Sequence, residues 1–120
     1  VLCVRPLRTR RSGLAHDIGQ GVTAMIIVTG SVTASAETDA EMAELCLTHV
    51  RRSRTEPGCL LHAVHRDVEN HHRFVFLEHW ISRTTLEQHF EVPESIAFVK
   101  AIRVIAIDAT KMQIFETVES

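Results

Sequence analysis

The 120-residue chain predicts an α+β domain of ferredoxin-like order, β-α-β-β-α-β, with a four-stranded antiparallel sheet and helices on one of its faces. Three observations carry that expectation. Strand-like stretches open and close the domain, Met25–Thr33 and Lys111–Val118. Two more, Cys59–Arg66 and Phe74–Trp80, follow one another across a polar turn. Helical periodicity occurs only before and after that central pair.

Taken in order, Met25–Thr33 (MIIVTGSVT) is β-branched and apolar, and Gly30 in its middle suggests a bulge or a close backbone approach. Ala34–Glu37 connects it to a helix opened by a capping box, Thr38-x-x-Glu41, and running to about Arg54. Met42, Leu45, Cys46, His49 and Val50 form its apolar stripe, and Arg51, Arg52 and Arg54 suit its C-terminal dipole. Glu56-Pro57-Gly58 stops it. Cys59–Arg66 is the second strand, Asp67–Arg73 holds the turn, and Phe74–Trp80 is the third strand. Ser82 is the N-cap of a short helix to Phe90. Pro93 fits the first turn of another, reaching about Ile105, with apolar residues on two adjoining sides. Lys111–Val118 alternates as the last strand.

Composition bounds the rest. One domain is expected from the length, and 45% apolar residues with a mean hydropathy of +0.05 are rich for a small monomer, so a second copy should cover one face. The apolar runs are far shorter than the ~18 residues that span a bilayer. Three unevenly spaced cysteines without a CxxC argue for a reducing cytoplasm and against a disulfide framework or thiolate zinc site. A net charge of -2 gives no reason to expect nucleic acid as a partner. Residues 1–24 carry four arginines against Asp17 and read as an N-terminal extension ahead of a domain spanning 25–120. Two readings of it stay open: Met25 is the functional start, or the extension is genuine and Val1–Val4 add to a sheet edge.

Alternation places Phe74, Phe76, Glu78 and Trp80 on one face of the third strand. Leu86, His89 and Phe90 share one side of the following helix. Both sets aim at the same interior. Which histidine of the second strand joins them depends on register. An even loop centred on Glu69-Asn70 pairs His65 with Phe74 and Cys59 with Trp80; an odd loop brings in His62 instead. The eight histidines do not predict a metal centre, because His62-x-x-His65 points to opposite faces of a strand, His71-His72 sits in a turn, and no HExxH occurs.

Glu56-Pro57-Gly58-Cys59, Phe76-x-Glu78-x-Trp80-x-Ser82, Leu86-x-x-His89 and Pro93 together resemble the antibiotic biosynthesis monooxygenase (ABM) family. The resemblance spans Met25 to Val118. It implies a ferredoxin-like unit that dimerises into an α+β barrel, with a pocket between sheet and helices. It also implies cofactor-free oxidation, by O2, of a quinol or a polycyclic, anthrone-type phenol. Trp80 matches a functional Trp of the family and His65 a pocket His. Leu86 stands where a polyketide-oxidising member has a Tyr, and Phe76 where it has an Asn. The chain contains no Tyr, so a Tyr-dependent proton relay does not transfer. The first-strand Asn of haem-degrading members is also missing, since the one Asn is Asn70.

The catalytic candidates are therefore His89, His65 and Glu78. Any of the three could take a substrate proton, a buried carboxyl having its pKa raised toward neutrality. Trp80, Phe76, Leu86, Phe74 and Phe90 are the candidates for substrate binding, with Trp80 stacking on a flat ring. The expected partners are a second copy of the chain, or a higher homo-oligomer, and a small aromatic substrate, without nucleic acid, membrane or cofactor. Two alternatives accompany this reading: a non-catalytic, ligand-binding or stress-associated barrel of the same fold, and a haem-binding or haem-degrading relative.

Overall fold

A computed structural model describes residues 2–6 and 24–119. The expectations for residues 7–23 lie outside the described residues. The order of elements is β1 (Leu2–Pro6), β2 (Ile26–Ala34), α1 (Asp39–Ser53), β3 (Cys59–Asp67), β4 (Asn70–Trp80), α2 (Arg83–Glu91), α3 (Pro93–Ile105), β5 (Ala106–Ala109) and β6 (Gln113–Glu119). The pairings are antiparallel, in the order β1-β6-β2-β4-β3, and β5 also pairs with β2. This is the ferredoxin-like arrangement, extended at one edge. The N-terminal segment does add a strand, Leu2–Pro6, and it does so on β6 of its own sheet. Among the described residues no helix is long and apolar enough to cross a membrane.

β5 and β6 occupy the same edge of β2. Ala109 pairs with Val32 and Gln113 with Thr29, so the outer strand uses one residue more than β2 over this stretch. Thr110 bridges the irregularity, its backbone N–H donating to Ser31 O at 3.0 Å and its Oγ1 accepting from Ser31 N at 2.8 Å. The bulge expected at Gly30 is thus on the partner strand. At Gly30 itself an added Cβ would stand 3.8 Å from Met112 Cα, an ordinary contact.

The helices start and stop largely where their cap residues dictate. Ser82 Oγ accepts from Thr85 N at 3.2 Å and fixes the start of α2. Pro93 opens α3 at its first turn. The capping box expected for α1 does not form. Thr38 makes no side-chain cap bond and instead donates its hydroxyl to Ile105 O at 3.2 Å, tying the start of α1 to the end of α3. Beyond α1, Gly58 takes φ 82°, a conformation that favours glycine. A Cβ there would stand 2.5 Å from Thr85 Cγ2, while Gly58 O accepts from Ile81 N at 2.8 Å. The loop after α1 is therefore packed directly against the beginning of α2.

The core lies between the sheet and the helices, in two clusters. One contains Val32, Ala34, Met42, Cys46 and Phe74, with Phe98, Ile102 and Ile105 packed against it. The other contains Ile26, Val28, Trp80 and Leu86. Each buried side chain of this size contributes about 1.5–3 kcal/mol relative to exposure. The opposite face of the sheet carries Ile27, Val75, Leu77 and Phe115, all only half-buried.

Candidate functional site

The β3–β4 hairpin decides which side chains meet. Asp67 pairs with Asn70 around a two-residue turn, but Arg66 pairs with Phe74, so three residues of β4 have no partner on β3. From there the register runs Val64 to Phe76 and His62 to Glu78. A second irregularity, at Leu60, restores the Cys59–Trp80 pair. Of the two registers that the sequence leaves open, the even one holds at Cys59 and the odd one in between. His62, rather than His65, joins the face of Glu78 and Trp80. His65 pairs with Val75, is exposed, and takes no part in the site.

Glu78 and Trp80 stand two residues apart on the inward face of β4. The indole Nε1–H of Trp80 donates to Glu78 Oε1 at 2.8 Å, and both residues are buried. His62 Nε2 lies 3.4 Å from the same carboxyl oxygen. Burial raises the Glu78 pKa to about 7, against the opposing hydrogen bond from Trp80. Burial also lowers that of His62 to about 3, helped by His89 and two arginines. The same desolvation opposes both charges of the His62–Glu78 contact. Neither ring nitrogen of His62 has a protein hydrogen-bond partner, although the residue is only 1% exposed.

Two further histidines converge on it. His49 comes from α1 and His89 from α2, and the three ring centroids are 5.2–5.5 Å apart. His89 Nδ1 bonds Glu56 Oε1 at 2.8 Å. A carboxylate accepts, so this nitrogen carries the proton and Nε2 keeps its lone pair. Burial holds the His89 pKa below its ordinary value despite Glu56, and takes His49 to about 3. Arg52 organises the other side: it ion-pairs with Glu56 and donates to Ser95 Oγ at 2.9 Å and to His49 Nδ1 at 3.1 Å. Phe98 stacks on His49 at 3.9 Å with 3° between the planes.

A cavity of about 630 Å³ opens beside this cluster, between the sheet and the helices. Small-molecule sites commonly fall between about 300 and 1,000 Å³. Glu78, His49 and His89 reach it, and Phe76, Phe90, Phe98, Ile96 and Val99 supply apolar wall. The second apolar side of α3 therefore faces this space rather than a packed neighbour. Of the expected site residues, Glu78, His89, Phe76 and Phe90 line the cavity. Trp80, Leu86 and Phe74 do not. Trp80 is 0% exposed and uses its N–H on Glu78, so it cannot stack on a ligand there as expected. Leu86 packs beneath Trp80 in the core, and Phe74 is buried in the other cluster with the Arg66 guanidinium 4.7 Å from its ring centroid.

Sequence patterning alone does not single out His49, Arg52, Glu56, Ser95 or Phe98 for the site, and brings in His62 only with an odd loop. Two signals in the residues point that way: the Arg52–Glu56 spacing of four on a helix end, and His49 on the inward stripe of α1.

Known proteins share the family and the fold. The sequence profile of the family described as antibiotic biosynthesis monooxygenase matches residues 25–101. The chain belongs to the ABM family. A candidate ABM protein from Deinococcus radiodurans is 28% identical, superposes with a TM-score of 0.75, and is matched over 79% of this chain and 94% of its own. A conserved protein from Methanosarcina mazei shares the fold at 22% identity and a TM-score of 0.72, over 77% of this chain and 91% of its own. An uncharacterized protein of Synechocystis sp. is 28% identical over 107 residues, 89% of this chain and 72% of the relative. An ABM-type, monooxygenase-like role follows at the level of the family.

Proposed function

We propose that this ABM protein oxidises an electron-rich planar phenol, of the quinol or anthrone type, with O2 and without a cofactor. The observation that carries the reading is Glu78: a buried carboxyl, oriented by Trp80, at the floor of a cavity whose walls are mostly aromatic and aliphatic. A flat aromatic substrate fits between Phe76, Phe90 and Phe98. Glu78 takes a proton from it, and the anion left behind is electron-rich enough to react with O2 directly. For an anthrone-type CH2 the balance is complete: the carbon loses two hydrogens and four electrons, one oxygen atom becomes the new carbonyl, and the other leaves as water. His89 stands on the cavity wall, and the second C–H proton and the one held by Glu78 leave with the departing oxygen as water. The apolar wall keeps water from the anion. A second copy of the chain is assigned to the half-buried face of Ile27, Val75, Leu77 and Phe115, away from the cavity.

Oxygen uptake by chelator-treated protein tests the reading, against a panel of anthrones and hydroquinones and corrected for their spontaneous oxidation. Uptake is expected with wild type and is expected to fall by about 10²–10⁴-fold in Glu78→Gln, the range of a lost general base. No uptake above the spontaneous rate across the panel would move the protein to a ligand-binding role. Light scattering of the eluting peak tests the homodimer.

A further inference from the structure

We infer that His49, His62 and His89 form a binding site for one divalent first-row transition-metal ion of the Zn²⁺ class, at the inner end of the cavity. The assignment rests on three independent observations. One ring nitrogen from each histidine lies within 4.8 Å of those of the other two, although the residues come from α1, β3 and α2. All three are buried, His62 at 1%, His89 at 3% and His49 at 7% exposure. Both nitrogens of His62 lack a protein hydrogen bond, although buried polar atoms are rarely left so.

Three neutral imidazoles are a ligand set for Zn²⁺ and its neighbours, with a fourth position left for water or a substrate oxygen. At Zn–N distances of about 2.0–2.1 Å a tetrahedral ion sets its nitrogens roughly 3.3 Å apart, so the rings close by about 1 Å or somewhat more on loading. The surrounding contacts favour this. Glu56 holds His89 from behind at Nδ1, the carboxylate–histidine arrangement that orients a metal ligand and raises its basicity. His62 is held by no competing hydrogen bond. His49 Nδ1 accepts from Arg52, because a guanidinium only donates, and Arg52 has Ser95 Oγ and Glu56 as further acceptors. Glu56 also offsets the positive charge of Arg52. Glu78, whose Oε1 lies 3.4 Å from His62 Nε2, lines the cavity next to the cluster.

This goes beyond the oxidation reading and is tested without substrate. The full chain, stripped with chelator and returned to chelator-free buffer, is titrated with Co²⁺ as a spectroscopic stand-in for Zn²⁺. One equivalent per chain is expected to give the intense visible bands of a four-coordinate ion, bleached by one equivalent of Zn²⁺. His62→Leu and His89→Gln should each abolish the bands with the far-ultraviolet dichroism unchanged, and His65→Leu, on the exposed face, should keep them. Glu56→Gln should weaken Co²⁺ binding by about 10–100-fold, the effect of losing a partner behind a ligand. A wild-type titration that gives only the weak spectrum of a six-coordinate ion overturns the site. So do bands that survive undiminished in His62→Leu, which would locate the ion on other histidines such as the exposed His71–His72 pair.

Discussion

The space between helices and sheet has two ends, built from the same elements and opposite in character. At one end Met42, Cys46, Val32, Ala34 and Phe74 close on each other with no polar side chain among them. At the other, His49, His62, His89 and Glu78 meet beside a cavity. Helix α1 serves both: Cys46 belongs to the first and His49, less than a turn on, to the second. The same desolvation acts at each end. It pushes the Cys46 thiol up to about 12, where it stays an inert neutral thiol, and pushes Glu78 to about 7, where a carboxyl can exchange a proton at neutral pH. Burial alone therefore does not make a site. What distinguishes the second end is that its buried polar groups have a cavity in front of them and Arg52, Glu56 and Trp80 behind them.

Three substitutions should separate the two ends, and a fourth probes the surface outside them. The largest effect is expected in the apolar one, where Met42→Ala should lower unfolding free energy by about 2–5 kcal/mol in urea denaturation. A loss as small as a surface change gives would mean that this cluster is not the stabilising core. Trp80→Phe comes next. It keeps an aromatic ring but removes the N–H held by Glu78, and should cost about 1–3 kcal/mol for the carboxyl left without its donor. A double variant that also carries Glu78→Leu should recover part of that loss, and full additivity in the cycle would dissolve the pairing.

At His62 the sign should reverse. Replacing two buried, unpartnered nitrogens with a similar-sized apolar side chain in His62→Leu should raise stability by about 1 kcal/mol. A destabilisation comparable to Met42→Ala would show that His62 is core after all. The smallest effect belongs outside both ends. Asp39 has its carboxyl lowered from 3.8 to about 2, chiefly by its hydrogen bonds from Arg66 and then His72. Being depressed in the folded state, it contributes stability above 3.8 that is lost as the pH falls through about 2. Acid titration of stability should be shallower in Asp39→Asn than in wild type over that window, by little, because the pair is at the surface.

Much of this architecture is legible in the residues. The alternation of Phe74 to Trp80 predicts the inward face of β4, and Ser82 and Pro93 predict the starts of α2 and α3. The spacing of Leu86, His89 and Phe90 brings His89 to the interior. What the sequence does not convey is where strands slip. A parity argument from one loop assumes a regular ladder, whereas β3 and β4 are irregular both near the turn and at Leu60, so the pair at Cys59 and the pair at Glu78 obey different registers. That difference exchanges His65 for His62. Periodicity has a second limit at His49 and Trp80. It says that both point inward, but not that one faces a cavity while the other is sealed behind a carboxyl.

Gly58 gives the hairpin and the helix a shared hinge point. Its left-handed backbone, the seating of Thr85 against its Cα and its bond to Ile81 join the loop after α1, the end of β4 and the start of α2. Glu56 lies two residues before it and His89 four residues beyond Thr85. A position that touches neither the cavity nor the histidines thus sets the alignment between the carboxylate and the imidazole it holds. Damage there would surface as a chemical lesion in a protein whose reactive residues were all intact, and a screen for function would recover a loop glycine alongside the residues of the site itself.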